Sequence, residues 1–385
     1  MKKRAVFIFP IIFGLFILLG SWTPARASDV VKIGVLGPFT GGAAVVGVDM
    51  LRGVQLGAKE VNDRGGVNVK GKKYKVEVVS MDDGAVVANS VANARRMVSL
   101  HKTPVVIGPP LSSCALAVME FNEKKPNDFL IMTMAMHNDI TNRGNKLVLR
   151  VNTPTKIVGE ELANNVIKLK KPQSVAIIHH TDDWGLLWKD GLTEGCNKNK
   201  VKVTATEGID ERKQTDFYVQ LTKIVETKPE AVFMIAHDAV TAMMVKQIRE
   251  IGFKGRLVFS EGFGEEGRKL VAGKLEGSIW PTTPVDFNTP SVQRYREMFT
   301  KLFPNETMKF YGPHAYDEFR LIIAAMEKAQ SVTDPYAIRA AMPEVTSKPI
   351  PAGILLLSPV ENNGHINARY LIAEQKGDKV IQVGE

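Results

Sequence analysis

Residues 32–67, KIGVLGPFTGGAAVVGVDMLRGVQLGAKEVNDRGGV, contain a short apolar strand, a glycine-rich turn and an amphipathic helix in direct succession. The β-branched residues Ile33 and Val35 mark the strand, glycine and proline residues within 37–42 end it, and apolar residues recur at helical spacing over 51–61. This order is typical of the carboxyl end of a strand in an open α/β sheet. Ligands bind at such strand ends because helix N-termini present unpaired N–H groups there.

Strand and helix signals alternate along the rest of the chain, as in the predicted strand Ser174–His180 and the predicted helix Trp184–Asn197 that follows it. Such alternation predicts mainly parallel sheets with helices on both faces. The chain has 385 residues, more than one hydrophobic core usually serves. We therefore predict an α/β protein with two doubly wound lobes.

The first residues of the chain predict export. Basic residues 2–4 precede an apolar run over 5–20, and residues 25–27 (ARA) offer the small side chains that a signal peptidase reads. An uncleaved anchor is the alternative, but the run is shorter than the ~20 residues that span a bilayer and is interrupted by Pro10. We predict cleavage after Ala27 and a soluble mature chain in the periplasm.

The net charge bears on which partners the chain can bind, and its two cysteines bear on whether it forms a disulfide. Removing residues 1–27 takes away four basic residues and no acid, so the formal net charge falls from +9 to +5. The longest basic cluster, residues 70–75, lacks an aromatic ladder, so nucleic acid is not an expected partner. Cys114 and Cys196 are predicted to lie in helices of different lobes and to stay free thiols, because a disulfide needs Cα atoms about 6 Å apart.

Further short motifs follow residues 32–67 in a definite order. They are VIGP at 106–109 with Ser112-Ser113, PEAV at 229–232, EIG at 250–252, YGPHAYD at 311–317 and TDP at 333–335. Each motif is weak alone, but their order and spacing closely resemble those of the leucine/isoleucine/valine-binding family. Members of that family are periplasmic substrate-binding proteins that feed ABC importers.

The resemblance implies a type I periplasmic binding fold, in which three strands form a hinge between lobes built from discontinuous pieces. Proline-containing segments fall at three places that suit such crossings: RVNTP at 150–154, WPTTP at 280–284 and SKPIPAG at 347–353. On this basis the first lobe is predicted to comprise residues 28–151 plus 284–348. The second lobe is predicted to comprise residues 152–283 plus 349–385.

Two loops of the predicted first lobe carry candidate ligand-binding residues. Ser112 and Ser113 start a helix after a strand, where hydroxyl and backbone N–H groups hold a carboxylate; an ordinary N-cap is the alternative. The resemblance implies that Ser112 binds the ligand carboxylate. It also implies that Ala135 offers a backbone carbonyl to an ammonium group, whereas Met136 replaces a threonine that binds carboxylate in the family and makes that wall apolar.

The predicted second lobe carries the remaining candidates. Glu261, in FSEGFG, matches the family glutamate that pairs with the substrate's α-ammonium, and Trp184, in TDDWG, stands where the family has an aromatic wall. His237 matches an aromatic position of the family's cleft and could hydrogen-bond a ligand. The alternatives are a surface glutamate, a core tryptophan and a structural histidine. Val46 of the first lobe replaces another family aromatic, which predicts a wider pocket.

No enzyme motif follows any predicted strand. The G-x-S-x-G elbow, the P-loop and the G-x-G-x-x-G fingerprint are all missing. A dehydrogenase is the formal enzyme alternative for an α/β fold, because a fold alone does not fix function. A metal at His179, His180, Asp182 and Asp183 is disfavoured, because adjacent strand residues point to opposite faces and no third ligand has a recognised spacing. We predict no enzymatic activity, no cofactor and no metal.

The resulting functional prediction is an extracytoplasmic solute-binding protein of an ABC importer. Its ligand is predicted to be a small carboxylate, best matched by an apolar, branched-chain or aromatic amino acid, held by closure of the two lobes as in a Venus flytrap. Permease subunits of the importer are the implied partners. Two alternatives stay open: a ligand that is an aromatic or aliphatic carboxylate without an amine, and a receptor that reports its ligand to a signalling partner.

Overall fold

Apolar and β-branched runs form two seven-stranded sheets in residues 29–210 and 214–384, the part of the chain that the computed structural model describes. The predicted signal segment, residues 1–27, lies outside these residues. The strands are β1 (Val30–Gly37), β2 (Val67–Val69), β3 (Lys72–Asp82), β4 (Val105–Ile107), β5 (Leu130–Thr133), β6 (Val148–Val151), β7 (Ser174–His180), β8 (Lys202–Ile209), β9 (Ala231–Ile235), β10 (Arg256–Phe259), β11 (Ile279–Thr282), β12 (His365–Ile366), β13 (Leu371–Lys376) and β14 (Lys379–Gly384). The helices are α1 (Ala44–Asp63), α2 (Val87–Ser99), α3 (Ser112–Met119), α4 (Asp139–Asn142), α5 (Thr155–Lys170), α6 (Asp183–Lys198), α7 (Tyr218–Glu226), α8 (Asp238–Glu250), α9 (Glu265–Lys269), α10 (Pro290–Leu302), α11 (Tyr311–Ala329) and α12 (Pro335–Val345).

The first sheet has the strand order β12-β6-β5-β4-β1-β3-β2, and the second has the order β14-β13-β11-β10-β9-β7-β8. In the first sheet β1 pairs in parallel with β3 and β4, and only the short β2 is antiparallel. In the second, β7 to β11 pair in parallel and the C-terminal strands β13 and β14 are antiparallel. The prediction of two mainly parallel α/β lobes is confirmed.

Helices cover both faces of each sheet because the central strands are apolar on both sides. In β7, for example, Val175 and Ile177 pack beneath α5 and α6, whereas Ala176 and Ile178 face α7 and α8. The first sheet is covered by α1, α11 and α12 on one face and by α2 and α3 on the other. Each fully buried aliphatic side chain of this kind stabilises the fold by about 1.5–3 kcal/mol.

The two cysteines lie as predicted. Cys114 is near the start of α3 in the first lobe and Cys196 is near the end of α6 in the second, and both are buried free thiols. Burial raises the pKa of the Cys196 thiol to about 11. Among the described residues, no helix is both long and apolar enough to cross a bilayer.

The chain passes between the sheets three times, and two of these passages lie near the predicted positions. The first follows β6 and the second follows β11. The proline-containing segments at 150–154 and 280–284 are not simply loops, because Arg150 and Trp280 lie in β6 and β11. Both passages therefore continue directly from a sheet strand into the other lobe.

The third passage corrects the predicted boundary at residue 349. Residues 365–366 form β12, which pairs in parallel with Arg150 and Val151 of the first sheet. Leu355 belongs to the first-lobe core, and the backbone N–H groups of Ile354 and Leu355 donate to Asp317 Oδ2 of α11 at 2.7 and 2.8 Å. The proline-rich 347–353 segment is thus a surface loop of the first lobe, and the chain enters the second sheet only with β13.

Candidate functional site

The parallel topology places all seven predicted site residues at the carboxyl edges of the two sheets. In the first lobe, α3 begins after β4 and the next loop follows β5; in the second, the relevant residues follow β7, β9 and β10. These residues are Ser112, Ser113, Ala135, Met136, Trp184, His237 and Glu261. We call the space between the two carboxyl edges the cleft.

The second-lobe candidates form a contact cluster. The Trp184 indole N–H donates to Glu261 Oε1 at 3.1 Å, and the Trp184 ring stacks on His237 with centroids 4.6 Å apart and an interplanar angle of 26°. The buried Trp188 packs edge-on against Trp184 at 6.5 Å. Three side chains separated by up to 77 residues in sequence therefore meet at one point of the cleft.

Local structure explains why Trp184 lies there. Asp182 caps α6 by accepting a hydrogen bond from the Gly185 backbone N–H at 2.9 Å, so the first turn of the helix carries Trp184 to the sheet edge. Gly262 follows Glu261, and a Cβ atom at this position would lie 3.1 Å from the Ala236 carbonyl oxygen and 3.3 Å from the Trp184 ring. The glycine lets the indole approach the loop closely.

Glu261 has one carboxylate oxygen in use and one without a partner. Its Oε1 accepts from Trp184, whereas Oε2 is buried and has no hydrogen-bond partner among the described residues. Burial raises the pKa of the Glu261 carboxyl, and the Trp184 N–H opposes this shift only in part. A buried carboxylate is stable as an ion when a cation or further donors face it, so this arrangement suits a cationic group beside Oε2.

Two tyrosines near Glu261 were missed from the sequence. Tyr311 starts α11 of the first lobe, and Tyr370 lies in the third passage between lobes. Burial, followed by the charge of Glu261, raises the pKa of Tyr311 to about 12 and that of Tyr370 well above its ordinary value. The charge of Glu261 therefore acts on both phenol groups. The YGPHAYD motif includes Tyr311, but its local pattern indicates only a helix start.

Apolar side chains of the first lobe reach the second across the cleft. Met136, in the loop after β5, and Phe310, just before α11, both pack against the second-lobe core cluster that Trp184 also contacts. Phe310 also packs edge-on against Tyr311, with ring centroids 5.4 Å apart and an interplanar angle of 89°. Met136, where the resemblance implies a threonine, thus gives the first lobe an apolar contact with its neighbour.

The first-lobe carboxylate candidates lie at the start of α3. Its N-cap residue is Leu111, which has no side chain able to cap the helix, so the N–H groups of the first turn lack an intrahelical or side-chain acceptor. Ser112 is half-buried and Ser113 is exposed. No hydrogen bond between described residues joins them to the Trp184–Glu261 cluster, so the two sides of the cleft are separate groups.

The loops after β4 and β5 are tied to each other. The buried Thr133 donates through Oγ1 to the Pro109 carbonyl at 2.5 Å and accepts from the Ala135 backbone N–H at 3.1 Å. Asn152, at the first passage, donates to the Met134 carbonyl at 3.0 Å. These bonds fix the position of the loop that holds Ala135, which is itself buried.

Two α/β lobes with three connecting passages, and with polar and aromatic residues at facing strand ends, define a two-lobed binding protein of the type I class. The family model described as periplasmic binding protein matches residues 30–379, and the chain belongs to this family. Its members are solute-binding proteins and not enzymes, which confirms the non-enzymatic prediction. The resemblance to leucine/isoleucine/valine-binding proteins is likewise confirmed.

Individual relatives are distant and differ in ligand. An amino acid binding protein of Pseudomonas aeruginosa is 31% identical over 260 residues, which span 66% of each chain. A branched-chain amino acid transporter substrate-binding protein from Streptococcus pneumoniae, solved with isoleucine, is 20% identical with a TM-score of 0.74 over 93% of this chain and 100% of that one. A solute-binding protein from R. palustris, solved with benzoate, is 17% identical with a TM-score of 0.74 over 92% and 96%.

Proposed function

We propose that this protein is the extracytoplasmic binding subunit of an ABC importer and that it captures an amino acid with an apolar or aromatic side chain. The observation that carries the proposal is the buried, unpartnered Oε2 of Glu261 beside Trp184. An α-ammonium group placed there supplies the cation that the carboxylate lacks. The N–H groups and hydroxyl at the start of α3, around Ser112, supply the complementary site for the α-carboxylate.

Closure of the lobes is the proposed mechanism. The ligand docks on one edge of the cleft, completes its contacts with the other edge and so stabilises the closed form. The permease subunits of the importer then recognise this form, as in related systems that feed ABC importers. The predicted signal segment supports a periplasmic location, where such a role is carried out.

An amine-free carboxylate is the second candidate ligand. Burial raises the pKa of Glu261, so the neutral carboxyl, which can donate to a ligand, persists to a higher pH than in an ordinary glutamate. Met136 and Phe310 also give the cleft apolar walls. The solved relative with benzoate shows that proteins of this fold accept such ligands.

The pH dependence of binding separates the two candidates. An amino acid needs ionised Glu261, so its binding releases a proton below the raised pKa of the free protein, and its affinity rises as the pH rises through that pKa. An amine-free carboxylate favours neutral Glu261, so its affinity falls over the same interval. Calorimetry of a panel of amino acids and organic acids, in two buffers of different ionisation enthalpy, measures the sign of the proton transfer.

Two glutamate variants test whether Glu261 is the residue that gains or loses the proton. Glu261→Gln should abolish the proton transfer for either ligand class, whereas Glu265→Gln, an exposed glutamate four residues further on, should leave it unchanged. If no compound of the panel binds, the proposed ligand class is wrong. If an amino acid binds with proton release that Glu261→Gln does not alter, the assignment of Glu261 is wrong.

A further inference from the structure

A cavity of about 300 Å³ lies where the first and third passages between the lobes run side by side. Its wall includes Asn138, which precedes α4, Arg150 of β6, Ile157 of α5, Glu361, and His365 of β12. None of the seven cleft candidates lines this cavity. We call it the hinge cavity, because residues of both lobes form its wall.

Arg150 is the charged group in the wall of the hinge cavity that lacks a counterion. Its side chain is almost wholly buried, with the residue only 3% exposed. One guanidinium nitrogen, Nη1, donates to the His137 carbonyl at 2.9 Å, but Nε is buried and has no hydrogen-bond partner among the described residues. No carboxylate of the described residues lies within ion-pair distance. A buried cation of this kind is costly unless an anion pairs with it.

Glu361 is the acid whose charge acts on Arg150, but it lies beside His365. Glu361 Oε1 lies 3.2 Å from His365 Nδ1, and His365 Nε2 donates to the Asn152 carbonyl at 2.9 Å. Glu361 therefore faces the histidine instead of forming an ion pair with Arg150. Burial lowers the pKa of Arg150 to about 10, and Glu361 offsets this shift only partly.

A second polar group of the cavity wall is also unsatisfied. Asn138 Oδ1 is buried without a hydrogen-bond partner among the described residues. Asn142, Asn363 and Asn367 line the same cavity, so amide groups surround the single guanidinium. Such a wall offers donors and acceptors to a polar ligand but only one uncompensated positive charge.

We propose that the hinge cavity is a second ligand site, which binds a small monovalent carboxylate against Arg150. A carboxylate matches the planar fork of a guanidinium and accepts two parallel hydrogen bonds from it. A monoanion fits better than a dianion, because Arg150 supplies one charge and Glu361 lies beside it. The amide side chains hydrogen-bond the remainder of the ligand. This site is independent of the ligand proposed for the cleft.

Sodium acetate is the probe for this site. The melting temperature of the chain without its predicted signal segment is measured against acetate concentration, with sodium chloride replaced to keep the ionic strength constant. The wild-type protein should show a saturable rise. Arg150→Gln should raise the half-saturating acetate concentration at least tenfold, whereas Arg143→Gln, an exposed arginine paired with Glu120 and Asp139, should leave it unchanged.

Two further variants keep the test decisive. Glu361→Gln removes a neighbouring negative charge from an exposed side chain and should lower the half-saturating acetate concentration several-fold; it decides the outcome if Arg150→Gln does not fold. Because acetate can also bind at Ser112 in the cleft, the titration is repeated in the Ser112→Ala background, where a saturable rise should remain and Arg150→Gln should abolish it. The proposal is overturned if chloride reproduces the rise, if Ser112→Ala abolishes it, or if Arg150→Gln or Glu361→Gln responds like the wild type.

Discussion

The two edges of the cleft differ in how their side chains are held. On the second lobe, Trp184, His237 and Glu261 contact one another and form a cluster before any ligand arrives. On the first lobe, Ser112 lies at an uncapped helix start and makes no such side-chain contacts with the part of the chain that the structure describes. An uncapped helix start binds any carboxylate, whereas a buried acid with a free oxygen discriminates between ligands. Under the proposed function, the first lobe supplies general anion binding and the second lobe selects for an amine.

The largest expected effect comes from the second-lobe edge. Glu261→Gln should weaken binding of an amino acid ligand by about 2–5 kcal/mol, because it leaves a buried ammonium group without its counterion. For an amine-free carboxylate the same change should be neutral or favourable. Titration calorimetry of both ligand classes measures the difference, and Glu265→Gln provides the matched control. Equal small losses for both classes would remove the distinction between the two edges.

Ligand binding should bring the two edges of the cleft together. A ligand at a hundredfold excess over its Kd should stabilise the protein by about 2.7 kcal/mol, and closure of the lobes should reduce the radius of gyration. Thermal unfolding measures the first quantity and small-angle scattering the second. A tight ligand that stabilises the protein without compaction would show that one edge binds it alone.

The first-lobe edge should contribute less. Ser112→Ala should weaken binding by about 1.5–3 kcal/mol for any carboxylate ligand, the range for a hydrogen bond to a charged group. Ser113→Ala, at the neighbouring exposed serine, is the comparison variant and should have a smaller effect. Calorimetry with one amino acid and one organic acid checks whether the loss is the same for both. Wild-type affinity in Ser112→Ala would place the carboxylate site elsewhere.

The smallest expected effect concerns the support of Glu261. Trp184→Phe keeps an aromatic ring next to His237 but removes the N–H that donates to Glu261, so amino acid binding should weaken by about 0.5–1.5 kcal/mol. Loss of this donor should also raise the pKa of Glu261 further, which moves the pH dependence of binding to higher pH. A pH series of affinities tests this shift. An unchanged profile would mean that the indole contributes packing alone.

Most of the fold follows from local sequence, and the exceptions have a common cause. The predicted strand Ser174–His180 has the observed bounds, because its β-branched run is apolar on both faces. The strand His365–Ile366 was not predicted, because two residues carry no periodicity and pair only through contact with a strand more than 200 positions earlier. The predicted lobe boundary at 349 failed for this reason.

The candidate site was predictable to a similar extent. Trp184, His237 and Glu261 were proposed from a family resemblance, and their mutual contacts could not be read from sequence because each follows a different strand. Tyr311 and Tyr370 were not predicted to lie near the cleft. A tyrosine at a helix start or in a connecting loop has no local sequence signal that marks it as a cleft residue. The roles of all these residues in binding stay predictions.

Because Trp184 contacts Glu261, the intrinsic tryptophan fluorescence of the protein should report on the cleft. Of the four tryptophans in the sequence, Trp22 lies in the predicted signal segment, and Trp188 and Trp280 are fully buried in the second-lobe core. Trp184 donates its indole N–H to Glu261 Oε1 in the cleft. Intrinsic fluorescence of the chain without its predicted signal segment should therefore respond to events in the cleft, without any attached dye.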